Sequence, residues 1–114
     1  SPWGLQVTPL LDPNRFWEVL THTSPDLLIL DVEMPGFNGI ELCQVVRNDP
    51  HWGNLPILFL TAHQDVETLV QAFAAGGDDY IRKPILEPEL IARVLNRLEP
   101  GQIRQHQLIS TFMT

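Results

Sequence analysis

Basic residues are scarce in this chain of 114 residues, which has seven Lys and Arg against fourteen Asp and Glu and a formal net charge of −7. Proteins that bind nucleic acid rely on Lys and Arg to neutralise the phosphates. The shortage therefore argues against direct binding of nucleic acid. It favours partners that are proteins or cations.

Cysteine is almost absent, since Cys43 is alone, and an internal disulfide is therefore excluded. A single thiol fits a reducing compartment, and its position beside Leu42 and Val46 in a periodic segment predicts a small core residue. The four histidines lack the short spacing of metal ligands, which makes a zinc site improbable. They are His22, His51, His63 and His106.

Long apolar runs are also missing, and no stretch approaches the length needed to cross a bilayer. No charged-then-apolar signal opens the chain, so we expect a cytoplasmic protein without a membrane partner. The length predicts a single domain over residues 1–100. Residues 101–114 are expected to form a linker or a helical extension, because their apolar side chains have a weak helical spacing.

Short buried strands alternate with amphipathic helices along the rest of the chain. Four large aliphatic residues end in Asp31, a second apolar run ends in Thr61, and a third short strand is followed by Lys83 and Pro84. The predicted strands are 5–8, 27–30, 57–60 and 79–82. The predicted helices run from about 12 to 23, 38 to 47, 64 to 77 and 87 to 98, the third with Val66, Leu69, Val70 and Phe73 at helical spacing.

This alternation predicts a doubly wound α/β fold with parallel strands joined by right-handed crossovers. Parallel strands carry Asp31, Thr61 and Lys83 to the same edge of the sheet, where such folds bind ligands. A carboxylate can attack phosphorus if charge on the transferred group is neutralised. Lys83 offers a cation and Thr61 a hydroxyl donor, and Mg²⁺ is the divalent ion that prefers such oxygen ligands.

Several separated motifs resemble the receiver domain of two-component response regulators, which has the flavodoxin-like (CheY-like) fold. The resemblance covers residues 5–98. It is carried by Asp31-Val32-Glu33-Met34-Pro35 with Gly39, by Phe59-Leu60-Thr61-Ala62, and by Gly76 with Asp79-Tyr80-Ile81-Arg82-Lys83-Pro84.

The resemblance assigns a role to each matching residue. It implies that Asp31 is the phosphoacceptor, that Thr61 moves toward the phosphoryl group, and that Lys83 pairs with it. It further implies a cis Lys83–Pro84 bond and an aromatic switch at Tyr80. The metal ligands would be Asp31 and the backbone carbonyl of Glu33.

We expect Asp31 rather than Asp26, Asp78 or Asp79 to accept phosphate, because only Asp31 follows a buried strand and precedes the loop.

His63 lies two residues after Thr61, where members of the family tune the lifetime of the aspartyl phosphate. It is equally consistent with the sequence that His63 is simply an exposed residue at the start of a helix, with no role in phosphate lifetime.

The sequence departs from the family at its beginning. Receivers start with a strand that ends in an acidic pair, followed by a helix, and both are absent before the strand at Leu5–Val7. Asp12 cannot replace the pair, because it maps to the start of the second helix. We therefore expect a gap between the Leu5 and Asp31 strands, weak Mg²⁺ binding, and either a trimmed sequence or strand exchange with a second copy.

These observations favour a non-enzymatic phosphoacceptor module that receives a phosphoryl group from a histidine kinase. Its further partners would be output or neighbouring domains and a second copy, bound through the helix from Gln64, the strand 79–82 and the helix from Glu87. The alternative is a pseudo-receiver that acts only in protein interaction. An aspartate-dependent phosphatase is disfavoured, because such enzymes have an Asp-x-Asp motif at the nucleophile. Here Glu33 occupies the position of the second aspartate.

Overall fold

The structure is a computed structural model that describes residues 3–34, 36–62, 65–98 and 106–111. Five strands form the main sheet and two short strands form a hairpin. The strands are β1 (Leu5–Pro9), β2 (Leu27–Asp31), β3 (Glu33–Met34), β4 (Phe37–Asn38), β5 (Ile57–Thr61), β6 (Asp79–Arg82) and β7 (His106–Ser110). The α-helices are α1 (Phe16–Thr23), α2 (Gly39–Arg47), α3 (Val66–Ala74) and α4 (Glu87–Arg97), and a 3₁₀ turn (Pro13–Arg15) precedes α1.

The main sheet has the strand order β1-β7-β2-β5-β6, and every neighbouring pair is parallel. Predicted strands and helices lie close to their observed positions, and the doubly wound flavodoxin-like class is confirmed. Caps explain several helix starts: the Asp12 side chain accepts from Asn14 N, and Asn38 accepts from the first turn of α2. Among the described residues, none of the helices has the length and hydropathy needed to span a membrane.

Alternating side chains of the buried strands supply two apolar layers. Leu28 and Leu30 of β2 point into the layer covered by α1, α2 and α3, whereas Leu27 and Ile29 point into the layer covered by α4. All four are almost completely buried. A strand that is apolar on both sides needs helices on both faces, which is why β2 and β5 could be recognised as continuous aliphatic runs.

The prediction of a linker or helical extension over residues 101–114 is wrong for residues 106–110, which form β7. This strand pairs with β1 on one side and with β2 on the other. Two strand edges with unpaired N–H and C=O groups would otherwise face each other across the sheet, and satisfying both edges outweighs a weak helical spacing. Phe112 and Met113, which contributed to that spacing, lie outside the described residues.

The expected gap beside the Asp31 strand is therefore filled by the same chain. β1 and β2 do not pair with each other, as expected from the family's strand order, and β7 lies between them. Leu108 and Ile109 are buried on opposite faces of the sheet. Exchange of a strand with a second copy is not needed to complete this sheet.

Helix α3 forms as predicted but buries little of its apolar stripe. Ala72 is its buried residue, and Leu69 is half-buried. By contrast, Val66, Val70 and Phe73 are 72%, 58% and 44% exposed. The helical spacing identified the element correctly, but these three side chains are not part of the core.

Candidate functional site

Three strand ends bring together the predicted polar residues. Asp31 is the last residue of β2, Thr61 is the last of β5, and Lys83 directly follows β6. Asp31 is in register with Leu60, so Thr61 lies one residue beyond it along the neighbouring strand. Lys83 is tied to the same edge, since its backbone N–H donates to the Thr61 carbonyl at 2.8 Å.

The Asp31 carboxylate is paired directly with Lys83. The ammonium Nζ lies 2.5 Å from Asp31 Oδ1, and the carboxylate is buried whereas the lysine side chain is 37% exposed. The following Lys83–Pro84 peptide bond is cis, as predicted. A cation thus faces one carboxylate oxygen from the solvent side of the site.

The second oxygen of Asp31 is held by a residue that the sequence did not single out. Thr111 Oγ1 donates to Asp31 Oδ2 at 3.0 Å and accepts from the Asp31 N–H at 2.8 Å. Thr111 follows β7 and is 7% exposed. The only signal that could have found it was the need for a strand between β1 and β2, because that strand must end beside Asp31.

The loop after Asp31 is packed tightly against the start of α2. A Cβ atom on Gly39 would lie 2.1 Å from the Asp31 carbonyl oxygen, so only glycine fits at this position. The Gly39 N–H donates to the Val32 carbonyl at 2.9 Å. Together with the β3–β4 hairpin, these contacts fix the backbone that presents the Asp31 side chain; Pro35, between the two strands, lies outside the described residues.

A cavity of about 220 Å³ adjoins the site on the α3 side, and both Thr61 and Tyr80 line it. Tyr80 is half-buried and makes an edge-to-face contact with Phe73 of α3, with ring centroids 5.9 Å apart. The structure thus places the two residues of the expected switch around one space. The switching role itself stays a prediction, and His63 lies outside the described residues.

The other acidic candidates hold backbone or arginine partners. Asp26 accepts from Gln107 N, Asp78 accepts from Arg47 and from Ile57 N, and Asp79 accepts from Arg93 and from Tyr80 N. Each of these carboxylates joins neighbouring chain segments. Asp31 differs from them because it combines burial with a lysine partner at the carboxyl edge of the sheet.

The donor set around Asp31 does not fit a resident Mg²⁺ ion. Both carboxylate oxygens are engaged, one by Lys83 and the other by Thr111. Where the family has an acidic pair, Ser110 at the end of β7 and Thr111 directly after it offer hydroxyl groups. Within the described ranges, no group of three His, Cys, Asp or Glu side chains could hold a metal. Glu33 lies two residues beyond Asp31 in the hairpin, and the use of its carbonyl as a ligand stays a prediction.

Comparisons with known proteins agree with this architecture. The model of the response regulator receiver domain matches residues 3–95. Protein RcaC from Microchaete diplosiphon is 56% identical over 99 residues, which cover 87% of this chain and 15% of that protein. The phosphate regulon transcriptional regulatory protein PhoB from Rhizobium meliloti is 43% identical over 100 residues, covering 85% of this chain and 44% of PhoB. The chain thus spans less than half the length of these two relatives.

A solved structure gives the same result at the level of the fold. The signal receiver domain of a signal transduction histidine kinase from Syntrophus aciditrophicus is 30% identical, with a TM-score of 0.73. The alignment covers 86% of this chain and 74% of that one. With the family model, the relatives and the parallel sheet in agreement, the chain belongs to the response regulator receiver family and is a phosphoacceptor receiver module of two-component signalling.

Proposed function

We propose that Asp31 is the residue that accepts the phosphoryl group, from a phosphohistidine of a histidine kinase. A bond forms between an Asp31 carboxylate oxygen and phosphorus, and the bond between phosphorus and the imidazole nitrogen breaks. The electron pair of the broken bond stays on the imidazole. The observation that carries this assignment is the close pairing of the buried Asp31 carboxylate with Lys83 at the carboxyl edge of the sheet.

Charge explains why Lys83 matters for this step. A carboxylate and a phosphoryl group are both anionic, so they repel each other as they approach. The Lys83 ammonium lies against Asp31 Oδ1 and would remain beside the oxygens of the transferred group. Its partly exposed side chain can move aside to admit a donor while its backbone stays bonded to Thr61.

Phosphorylation would alter the neighbouring surface through the cavity shared by Thr61 and Tyr80. Added charge at Asp31 attracts the Thr61 hydroxyl, which leaves space into which the Tyr80 ring can turn. Because the Tyr80 ring packs against Phe73, its movement would change the packing and the exposed surface of α3.

The surface that this change would alter, and that partners would bind, is formed by α3, β6 and α4. Three exposed apolar side chains of α3, Val66, Val70 and Phe73, lie there. We propose that this surface binds a second copy of the chain and neighbouring or output domains. The acidic net charge favours protein partners over DNA for this domain, although PhoB, as a whole protein, is named a transcriptional regulator.

The test is labelling by acetyl phosphate and by a phosphorylated histidine kinase. Wild-type chain should acquire an acyl phosphate, which base and hydroxylamine release, and Asp31→Asn should acquire none. Asp12→Asn is the matched control, because Asp12 is an exposed helix cap and asparagine can also cap. Labelling of Asp31→Asn at the wild-type level would reject the assignment. Absence of label in the wild type would leave only an interaction module.

A further inference from the structure

Strand β7 delivers a hydroxyl group to the phosphoacceptor from the far end of the chain. Leu27, Leu28 and Ile29 of β2 are in register with Leu108, Ile109 and Ser110. The Thr111 N–H continues this ladder by donating to the Ile29 carbonyl at 3.0 Å. The position of Thr111 is therefore set by the backbone of the sheet and not by a free loop.

The hydroxyl makes two hydrogen bonds to one residue. Oγ1 accepts from the Asp31 N–H and donates to Asp31 Oδ2, so it joins the backbone of Asp31 to its own carboxylate. Both side chains are buried, at 5% and 7% exposure. A carboxylate tied in this way cannot rotate about its side-chain torsions without losing a buried hydrogen bond, which is costly.

The two carboxylate oxygens are chemically equivalent in free aspartate, but here they are not. Oδ2 is occupied by the Thr111 hydroxyl, whereas Oδ1 faces the movable Lys83 ammonium. Only the oxygen beside the cation has a neighbour that can both move aside and neutralise an incoming phosphoryl group.

We infer that Thr111 is a positioning residue for phosphoryl transfer, which holds Oδ2 so that Oδ1 is the oxygen that bonds to phosphorus. With acetyl phosphate as donor, the Oδ1–P bond forms, the P–O bond to the acetyl group breaks, and acetate leaves with the electron pair. The inference rests on the proposed role of Asp31 and extends it to the residue that orients its carboxylate.

The test compares Thr111→Val, Thr111→Ser and wild type by the rate of labelling over a range of acetyl phosphate concentrations. Valine keeps the shape but removes the hydroxyl, so the maximal rate should fall by about tenfold to a hundredfold, as for a misplaced reacting group. The half-saturating donor concentration should stay the same, because Thr111 does not contact the donor. Serine keeps the hydroxyl and should restore most of the rate.

Thr8→Val is the matched control, since Thr8 lies on β1 opposite Ile109 and away from Asp31. It should label at the wild-type rate. Thr111→Ala should lower the maximal labelling rate as Thr111→Val does. It is used in place of Thr111→Val if circular dichroism shows that the valine variant does not fold. An unchanged maximal rate in a folded variant without the hydroxyl, or a serine variant as slow as valine, would overturn the inference while leaving Asp31 as acceptor. A wild-type chain that takes no label would overturn both.

Discussion

Thr111 and Asp31 are 80 residues apart in the chain, yet the Thr111 hydroxyl lies 3.0 Å from Asp31 Oδ2. Strand β7 makes this contact possible by inserting between β1 and β2. The same insertion ends in hydroxyl side chains and not in carboxylates. This insertion therefore completes the sheet and places the Thr111 hydroxyl, and not a carboxylate, against Asp31 Oδ2.

Magnesium binding should improve when a carboxylate replaces the Thr111 hydroxyl. We expect millimolar Mg²⁺ to raise the melting temperature of Thr111→Asp clearly and that of the wild type little, because two adjacent carboxylates repel each other until a divalent ion bridges them. Thr111→Asn is the control of equal size without the charge. Equal stabilisation of wild type and Thr111→Asp by Mg²⁺ would show that the metal binds elsewhere.

Arg47 should be important for stability despite its distance from the site. Its guanidinium donates to the carbonyls of Gly76, Gly53 and Leu55 and to the Asp78 carboxylate. Lysine lacks this planar set of donors, so Arg47→Lys should lower the free energy of unfolding by about 2 kcal/mol or more in urea denaturation.

Arg15→Lys is the control for that substitution. Arg15 forms an exposed pair with Glu18 of the first turn of α1, and because solvent screens such pairs, Arg15→Lys should leave the free energy of unfolding nearly unchanged. Similar effects of the two substitutions would contradict the structural importance of the Arg47 network.

The sequence was sufficient to predict most of the sheet and the three strand-end residues. Buried parallel strands are continuous aliphatic runs, and their carboxyl ends must share an edge, so Asp31, Thr61 and Lys83 could be grouped before any coordinates. The predicted helix starts near residues 12 and 38 also agree with the structure, where the Asp12 and Asn38 side chains accept from the following backbone N–H groups.

Two features could not be predicted because they depend on tertiary context. Residues 106–110 have no strong strand pattern of their own, and only the slot between β1 and β2 makes them a strand. The contact of Thr111 with Asp31 follows from that placement. Likewise, helical spacing marked Val66, Val70 and Phe73 as apolar, but spacing does not show whether anything covers them.

Cys43 should be unreactive in the folded chain. Burial raises the pKa of its thiol to about 11, and Asp78 adds to the increase while Arg47 opposes it. The thiolate, which is the reactive form, is therefore scarce at neutral pH. Iodoacetamide should modify Cys43 only after unfolding in urea, and rapid labelling of the folded chain would contradict its buried position.

The same pKa makes stability depend on pH in the alkaline range. Above pH 9 the unfolded thiol loses its proton, whereas the folded thiol keeps it until about pH 11. The free energy of unfolding should therefore fall across this window, by up to about 1.4 kcal/mol per pH unit from this group. Cys43→Ala should show a smaller decline, and identical pH profiles would reject the assignment.

Self-association should depend on the exposed apolar side of α3. Val70→Lys places a charge among Val66 and Phe73 and should abolish dimer formation after treatment with acetyl phosphate, as measured by sedimentation equilibrium. Val45→Lys is the control, because Val45 is similarly exposed but lies on α2. A dimer that resists Val70→Lys and is lost in Val45→Lys would place the interface on α2 and not on α3.

The most direct test of the account is to locate the phosphorylated residue. After treatment with acetyl phosphate, borohydride reduces an aspartyl phosphate to homoserine, which mass spectrometry of the digested chain can assign to one position. We expect homoserine at position 31 alone. Homoserine at Asp26, Asp78, Asp79 or another aspartate, with Asp31 unchanged, would contradict the central claim.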